Sequence, residues 1–268
     1  MRVISVINLK GGVGKTTTAA NMAYVLAEHH MSKVLIIDND KQGNLSRLFK
    51  AYSEDETCGM AKVMLGDISS SIISHTEYTN IDIISANMSL LSANLKVMKD
   101  EGEQHTRLRN FLNTLDKTVG EYNYVIIDNP PTIDMCVINA LACTDDVIVP
   151  VKVDKWALEG LDIITEQIKE SKEFNPAIEL IGVLITVFTK NDVNTSGEKW
   201  LRQQETYPVL STKIRKTEKV DEATFFENPV VRHSTRCGAT RDYKALVHEY
   251  LQKVNRKGIE DKSWQNSV

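Results

Sequence analysis

Val3-Ile4-Ser5-Val6-Ile7-Asn8-Leu9-Lys10-Gly11-Gly12-Val13-Gly14-Lys15-Thr16-Thr17 decides the fold. The run Val3 to Ile7 reads as a buried strand, the glycines as a tight loop, and Lys15 to His30 as a helix. A glycine-rich loop in that context lets backbone N–H groups converge on an anion, and the following helix N-terminus adds its dipole. Lys15 can then reach the β- and γ-phosphates of a nucleotide, and the Thr16 hydroxyl can ligate Mg²⁺. Gly11, Gly12, Val13, Gly14, Lys15, Thr16 and Thr17 are therefore the expected cradle, with ATP and Mg²⁺ as its ligands. The ordinary pattern G-x-x-x-x-G-K-[ST] fails at its first position, where Leu9 stands. An additional lysine, Lys10, opens the loop instead.

Outward from the loop, short Val/Ile-rich runs alternate with longer amphipathic stretches. Strands are expected at Val3 to Ile7, Val34 to Ile37, Ile81 to Ile84, Val125 to Ile127, Val147 to Val151 and Leu180 to Val187. Helices are expected at Lys15 to His30, His105 to Val119, Met135 to Cys143, Leu158 to Glu173, Thr195 to Thr206 and Thr240 to Val254. The strands are mostly unalternated, as strands covered on both faces are. The fold class is therefore α/β, a doubly wound, mostly parallel sheet flanked by helices. Tyr52 to Thr79 is polar and weakly periodic, and reads as loop and short helix. Residues 1–255 read as one ATPase domain and 256–268 as a polar tail expected to fray.

Composition narrows the class. Apolar residues make up 42% of the chain and charged residues 25%, so a full core is expected in a soluble protein. No run is long enough to span a bilayer, and Met1-Arg2 leads directly into a strand, so a cytoplasmic protein without a signal peptide is expected. Cys58, Cys136, Cys143 and Cys237 are scattered and read as reduced thiols. The net charge of −4 confines any nucleic-acid contact to a local basic patch.

Two apolar runs end in acidic residues. Ile36-Ile37-Asp38-Asn39-Asp40-Lys41-Gln42-Gly43-Asn44 and Val125-Ile126-Ile127-Asp128-Asn129-Pro130-Pro131 each close a strand at the edge where such sheets bind ligands. Asp128 is placed to hold Mg²⁺ through water, and Asp38 and Asp40 to lie near the γ-phosphate.

Together the three segments resemble the deviant Walker A family of P-loop NTPases, which includes the ParA partition ATPases, MinD and the nitrogenase iron protein. The second segment is similar to that family's D-x-D-P-Q-G-N, with Lys41 at the proline. The third is similar to D-T-P-P, with Asn129 at the threonine. The resemblance implies that Lys15 acts in cis, while Lys10 reaches across a nucleotide-sandwich homodimer. It further implies that Asp40 orients the attacking water and that Asp38 supports the metal. Lys10, Lys15 and Asp40 are thus the expected catalytic residues, and Thr16, Asp38 and Asp128 the expected metal residues.

Among the branches, an iron–sulfur role is disfavoured because Cys136 and Cys143 fall on one predicted helix. A membrane-bound MinD-like role is disfavoured by the mixed charge of Asn255 to Val268. Lys213-Ile214-Arg215-Lys216-Thr217-Glu218-Lys219-Val220-Asp221-Glu222-Ala223 resembles a divergent ParA segment, I-P-R-N-V-R-L-S-E-A. This implies nucleotide contact at Arg215 and non-specific DNA contact at Lys216 and Lys219, extended by Arg236 and Arg241. Implied partners are a second copy, DNA of a nucleoid, and a ParB-like stimulatory protein. The alternatives are an ATP-dependent positioning factor that does not use DNA, and a ligase- or reductase-type relative. The loop begins so near Met1 that no N-terminal operator-binding domain is expected.

Overall fold

Among the described residues eight strands form one sheet, in the order β3-β4-β2-β5-β1-β6-β7-β8. They are β1 (Arg2–Val6), β2 (Val34–Asp38), β3 (Ser74–His75), β4 (Ile81–Ile84), β5 (Tyr124–Asp128), β6 (Asp146–Lys152), β7 (Glu179–Phe188) and β8 (Val209–Arg215). Every pairing is parallel except β3 with β4. The structure, a computed structural model, describes residues 1–54, 56–100, 102–154 and 157–265.

Unalternated apolar strands follow from helices on both faces. Ile4, Val6, Val34, Ile36 and Ile126 face one core cluster with α1 (Lys15–His30) and α11 (Gly238–Gln265). Val3, Leu35, Ile37, Val125 and Ile127, the alternate set, face a second cluster. That cluster is closed by α3 (Gly59–Met64), α4 (Ser89–Val97), α5 (Arg107–Thr118) and α6 (Met135–Cys143). A third cluster lies under α7 (Ala157–Ser171) and α8 (Asp192–Arg202). Ala19, Ala20, Ala23 and Ala27 are all buried on α1, and their small side chains let that helix lie close on the sheet.

The structure departs from the sequence expectation in several places, among them four helices that were not expected: α2 (Asn44–Leu48), α4, α9 (Glu218–Phe225) and α10 (Val230–His233). β8 is an additional strand at the sheet edge, where Ser211, Thr212 and Lys213 interrupt its apolar character. Tyr52 to Thr79 contains the short helix α3, as expected, but also the two-residue strand β3. The helix expected at Thr195 to Thr206 starts at Asp192, because the Asn191 side chain accepts a hydrogen bond from the Asn194 N–H and caps it. The last helix runs on to Gln265 rather than stopping at Val254. The side chains of 256–265 and residues 266–268, on which the polar-tail reading rests, lie outside the described residues.

Candidate nucleotide site

The carboxyl ends of β1, β2 and β5 converge on the glycine loop, because these strands are neighbours and in register. Val6 pairs with Asp128, and Asp38 pairs with Asp128 on the other side. Asp38 and Asp128 end their strands almost fully buried, at 0% and 1% exposure.

The loop is held from beneath. Asn8 donates to the Pro150 carbonyl (2.7 Å) and accepts from the Lys10 N–H (2.9 Å). Thr186 at the end of β7 donates to the Val13 carbonyl at 2.7 Å, and Val13 itself is buried. Gly12 and Gly14 adopt left-handed backbone, φ 72° and 83°, which a side chain would strain. α1 starts at Lys15 with no acidic residue in its first turn, so its positive end faces the loop uncompensated. This is an anion cradle.

Lys15 is 8% exposed, and its ammonium donates to the Lys10 carbonyl at 3.0 Å across the loop. Burial pulls its pKa below the usual lysine value, while Asp128 and Asp40 pull the other way. Burial, with Asp38 beside it, pushes the Asp128 carboxyl well above the ordinary range, although it accepts a hydrogen bond from Thr16. Asp128 Oδ1 is buried without a hydrogen-bond partner. An orphaned carboxylate oxygen beside a threonine hydroxyl fits a cation. Among the described residues no three His, Cys, Asp or Glu side chains form a metal cage. A Mg²⁺ ion here would therefore complete its shell with phosphate oxygens and water, as this ion commonly does.

Asp38 is differently occupied. Its carboxylate accepts from the Ser46 N–H and hydroxyl, both at 2.7 Å, and from the Asp40 N–H at 3.2 Å. Burial raises its pKa to about 6 despite these bonds. Asp38 thus braces the turn that carries Asp40 and the following short helix, α2 (Asn44–Leu48). Asp40 is part-buried, lines the cleft, and accepts from the Gln42 N–H at 3.0 Å. The turn closes with the Gly43 N–H on the Asp40 carbonyl at 2.8 Å, so Lys41 at the usual proline position leaves a hydrogen-bonded turn. Asn129, at the usual threonine position, accepts from Asn39 at 2.9 Å and so ties the β2 turn to the β5 turn.

The cleft over the loop holds about 750 Å³. Gly11, Gly12, Gly14, Lys15, Thr16, Thr17 and Asp40 line one end, while Ile214, Arg215, Lys216 and Val220 of the β8–α9 segment line the other, with α9 at Glu218–Phe225. Arg215 is not a free cation there. Asp242 accepts from its Nε at 2.8 Å, its Nη2 at 2.7 Å and its backbone N–H at 3.0 Å. Lys10 does not line the cleft at all. Its ammonium is paired with Asp154, in the loop after β6, and is partly exposed.

The expected DNA residues do not form one cluster of free cations. Lys216 lies at the cleft rim, whereas Lys219 is paired with Glu222 at 2.7 Å. Arg236 and Arg241 are exposed and have no ion pair among the described residues. Sequence reasoning missed Asn8, Thr186 and Asp154. No pattern marks Thr186 or Asp154, since each meets the loop only because β6 and β7 are its neighbours in the sheet. Val187, at φ 51°, also went unmarked; a β-branched residue with left-handed backbone in the cleft wall is an outlier.

Comparison with known proteins gives this geometry a lineage. A family model described as an AAA domain matches residues 1–180. The chain is 30% identical over 258 residues to the chromosome partitioning protein ParA of Caulobacter vibrioides, spanning 94% of this chain and 95% of that one. The chain belongs to the ParA family. Cobyrinic acid a,c-diamide synthase from Mycobacterium smegmatis, solved with an ATP analog and magnesium, is similar at 28% identity. It superposes with a TM-score of 0.75 over 88% of this chain and 96% of that one. The cell division ATPase MinD of Pyrococcus furiosus shares the fold, with a TM-score of 0.75 at 20% identity over 94% of this chain and 98% of that one. No helix among the described residues is long and apolar enough to cross a membrane.

Proposed function

We propose that this ParA-family chain is an Mg²⁺-dependent ATPase of DNA partition that works as an ATP-dependent sandwich dimer. The observation that carries the reading is the separation of its two loop lysines. Lys15 is buried over the cradle, whereas Lys10 does not line its own cleft and pairs with Asp154 in the loop after β6. A cation so placed stabilises transferred charge only by leaving Asp154 for the phosphates of a second copy, which makes hydrolysis conditional on assembly.

Within one copy, the N–H groups of Gly11 to Thr16 and the Lys15 ammonium hold the phosphates. Thr16 and the unpartnered oxygen of Asp128 would hold the metal, which would supply neutralisation of phosphate charge. Asp40 orients water, and Asp38 keeps the Asp40 turn in place through Ser46. A ParB-like protein stimulates the reaction, DNA binds without sequence preference through Lys216, Lys219, Arg236 and Arg241, and the protein resides on the nucleoid. Residues 1–255 act as one ATPase domain, followed by a polar C-terminal segment.

DNA retention with ATP, with ADP and without nucleotide, each at two salt concentrations, tests this reading. Retention only with ATP, weakening steeply with salt, is expected. No retention with ATP at low salt removes the partition step and leaves a positioning factor for a protein cargo.

A further inference from the structure

α4 buries Leu90, Ala93, Asn94 and Val97 and turns its other face to solvent. Leu91 and Leu95 on that face are 38% and 51% exposed, and Met88 and Met98 at its two ends are 52% and 56% exposed. Positions 88, 91, 95 and 98 recur at helical spacing and form one stripe about 15 Å long. Scattered exposed apolar residues need no explanation, but a contiguous row does.

Three observations say what covers it. Lys99 borders the stripe and Lys96 lies beyond it on the same shoulder of the helix, both without an ion pair among the described residues, while the nearby Asp100 is taken by Arg107. The stripe therefore favours carboxylates at the edge of whatever covers it. The uncovered area, roughly 400 Å², is near the upper range of patches on monomers but about half of what each side of a stable interface buries. That suits a short, transient segment better than a permanent second copy. Finally, Leu91 and Asn94 share a crevice with Asn39 and Lys41 of the β2 turn and with Pro130 and Asp134 after β5. Leu91 is the stripe residue that lines this crevice, so the stripe reaches both turns that follow the acidic strand ends through Leu91.

We propose that the α4 stripe docks an amphipathic helix of a protein partner, its apolar face on Met88, Leu91, Leu95 and Met98 and its carboxylates beside Lys96 and Lys99. Through the crevice the docked helix bears on the turn that carries Asp40, and this last step rests on the ATPase reading above. The docking itself does not depend on DNA.

Two fluorescein-labelled synthetic helical peptides of 18 residues test it (about five turns), both with one leucine stripe, flanked in one by Glu and in the other by Lys. Anisotropy is read on the full chain with Mg-ATP. The Glu-flanked peptide is expected to bind about tenfold tighter than its Lys-flanked counterpart. Leu91→Glu with Leu95→Glu is expected to weaken it about tenfold, with the unfolding midpoint and basal ATP hydrolysis unchanged. Lys96→Glu with Lys99→Glu should reverse the peptide preference. Equal affinity of the Glu-flanked peptide for the wild type and the Leu91/Leu95 variant overturns the proposal. So does loss of the ATP-dependent dimer in that variant, which makes the face a contact between copies. Sedimentation of wild type with phosphatidylglycerol vesicles, together with no binding of either peptide, makes it a lipid surface and overturns it too. Absent DNA retention, by contrast, counts only against the partition reading, because the peptide measurement contains no DNA.

Discussion

The two ends of the nucleotide cleft are built on opposite principles. At the phosphate end, Lys15, Asp38 and Asp128 are buried, their pKa values are displaced by desolvation, and Asp128 Oδ1 lacks a partner. At the β8–α9 end the charges are exposed: Arg215 is already satisfied by Asp242, while Lys216 stands in water at the rim without an ion pair among the described residues. Stored, unpaired charge marks where a ligand must supply the missing partner, whereas paired surface charge contributes little on its own. The difference teaches that the loop end withholds charge from water until a ligand arrives, whereas the far wall keeps its charges in solvent.

The sharpest break of that contrast is substitution at the two ends. Lys15→Ala should cost on the order of a thousandfold in ATP affinity, since it removes the buried cation proposed to hold the phosphates, while Arg215→Ala costs only about threefold. Calorimetric titration with ATP and Mg²⁺ measures both, and comparable losses would erase the distinction. Next in size, Lys10→Ala should slow hydrolysis about a hundredfold with ATP affinity nearly unchanged. A parallel loss of affinity would show Lys10 working in its own cleft.

The buried acids give a pH signature. Asp38 has a folded pKa of about 6 against an ordinary 3.8. Between those values the folded state binds more protons than the unfolded one. The contribution of Asp38 to stability therefore falls as pH rises through that window, and stays low above it. Its size is about 1–3 kcal/mol. Asp38→Asn should gain stability relative to wild type as pH is raised from about 4 to above 6, read from thermal unfolding without nucleotide. A constant difference across that range contradicts the assignment. The smallest effect concerns the exposed cations. Arg236→Ala should lower the slope of log affinity for DNA against log salt by about one, and Lys219→Ala by less, because Glu222 already neutralises it. Equal slopes for both would show that pairing in the free protein does not persist on DNA.

Legibility followed burial in the same way. The six strands read from the sequence are all present because Val/Ile runs sandwiched between helices carry a strong pattern, and α1 and α6 fall on their expected bounds. The edge strand β8 was missed because Ser211, Thr212 and Lys213 break its apolar run, and an edge does not require one. Lys15, Thr16, Asp38, Asp40 and Asp128 could be nominated because each ends a strand, lies in the turn just after one, or opens a helix. Asp154 and Thr186 could not, since neither follows a recognisable motif and both act on the loop from another strand.

By itself, then, the sequence determined that a strand, a glycine turn and a helix form a phosphate cradle, that two further strands end in acids, and that a second lysine opens the loop. Local chain geometry suffices for each of these. Only the tertiary structure decided that Asp128 keeps an unpartnered oxygen while Asp38 is committed to Ser46, that Lys10 lies on Asp154 outside the cleft, and that α4 leaves a stripe uncovered. Those outcomes depend on which residues distant in the chain become neighbours across the sheet, and the order of its strands is set by packing both apolar faces at once.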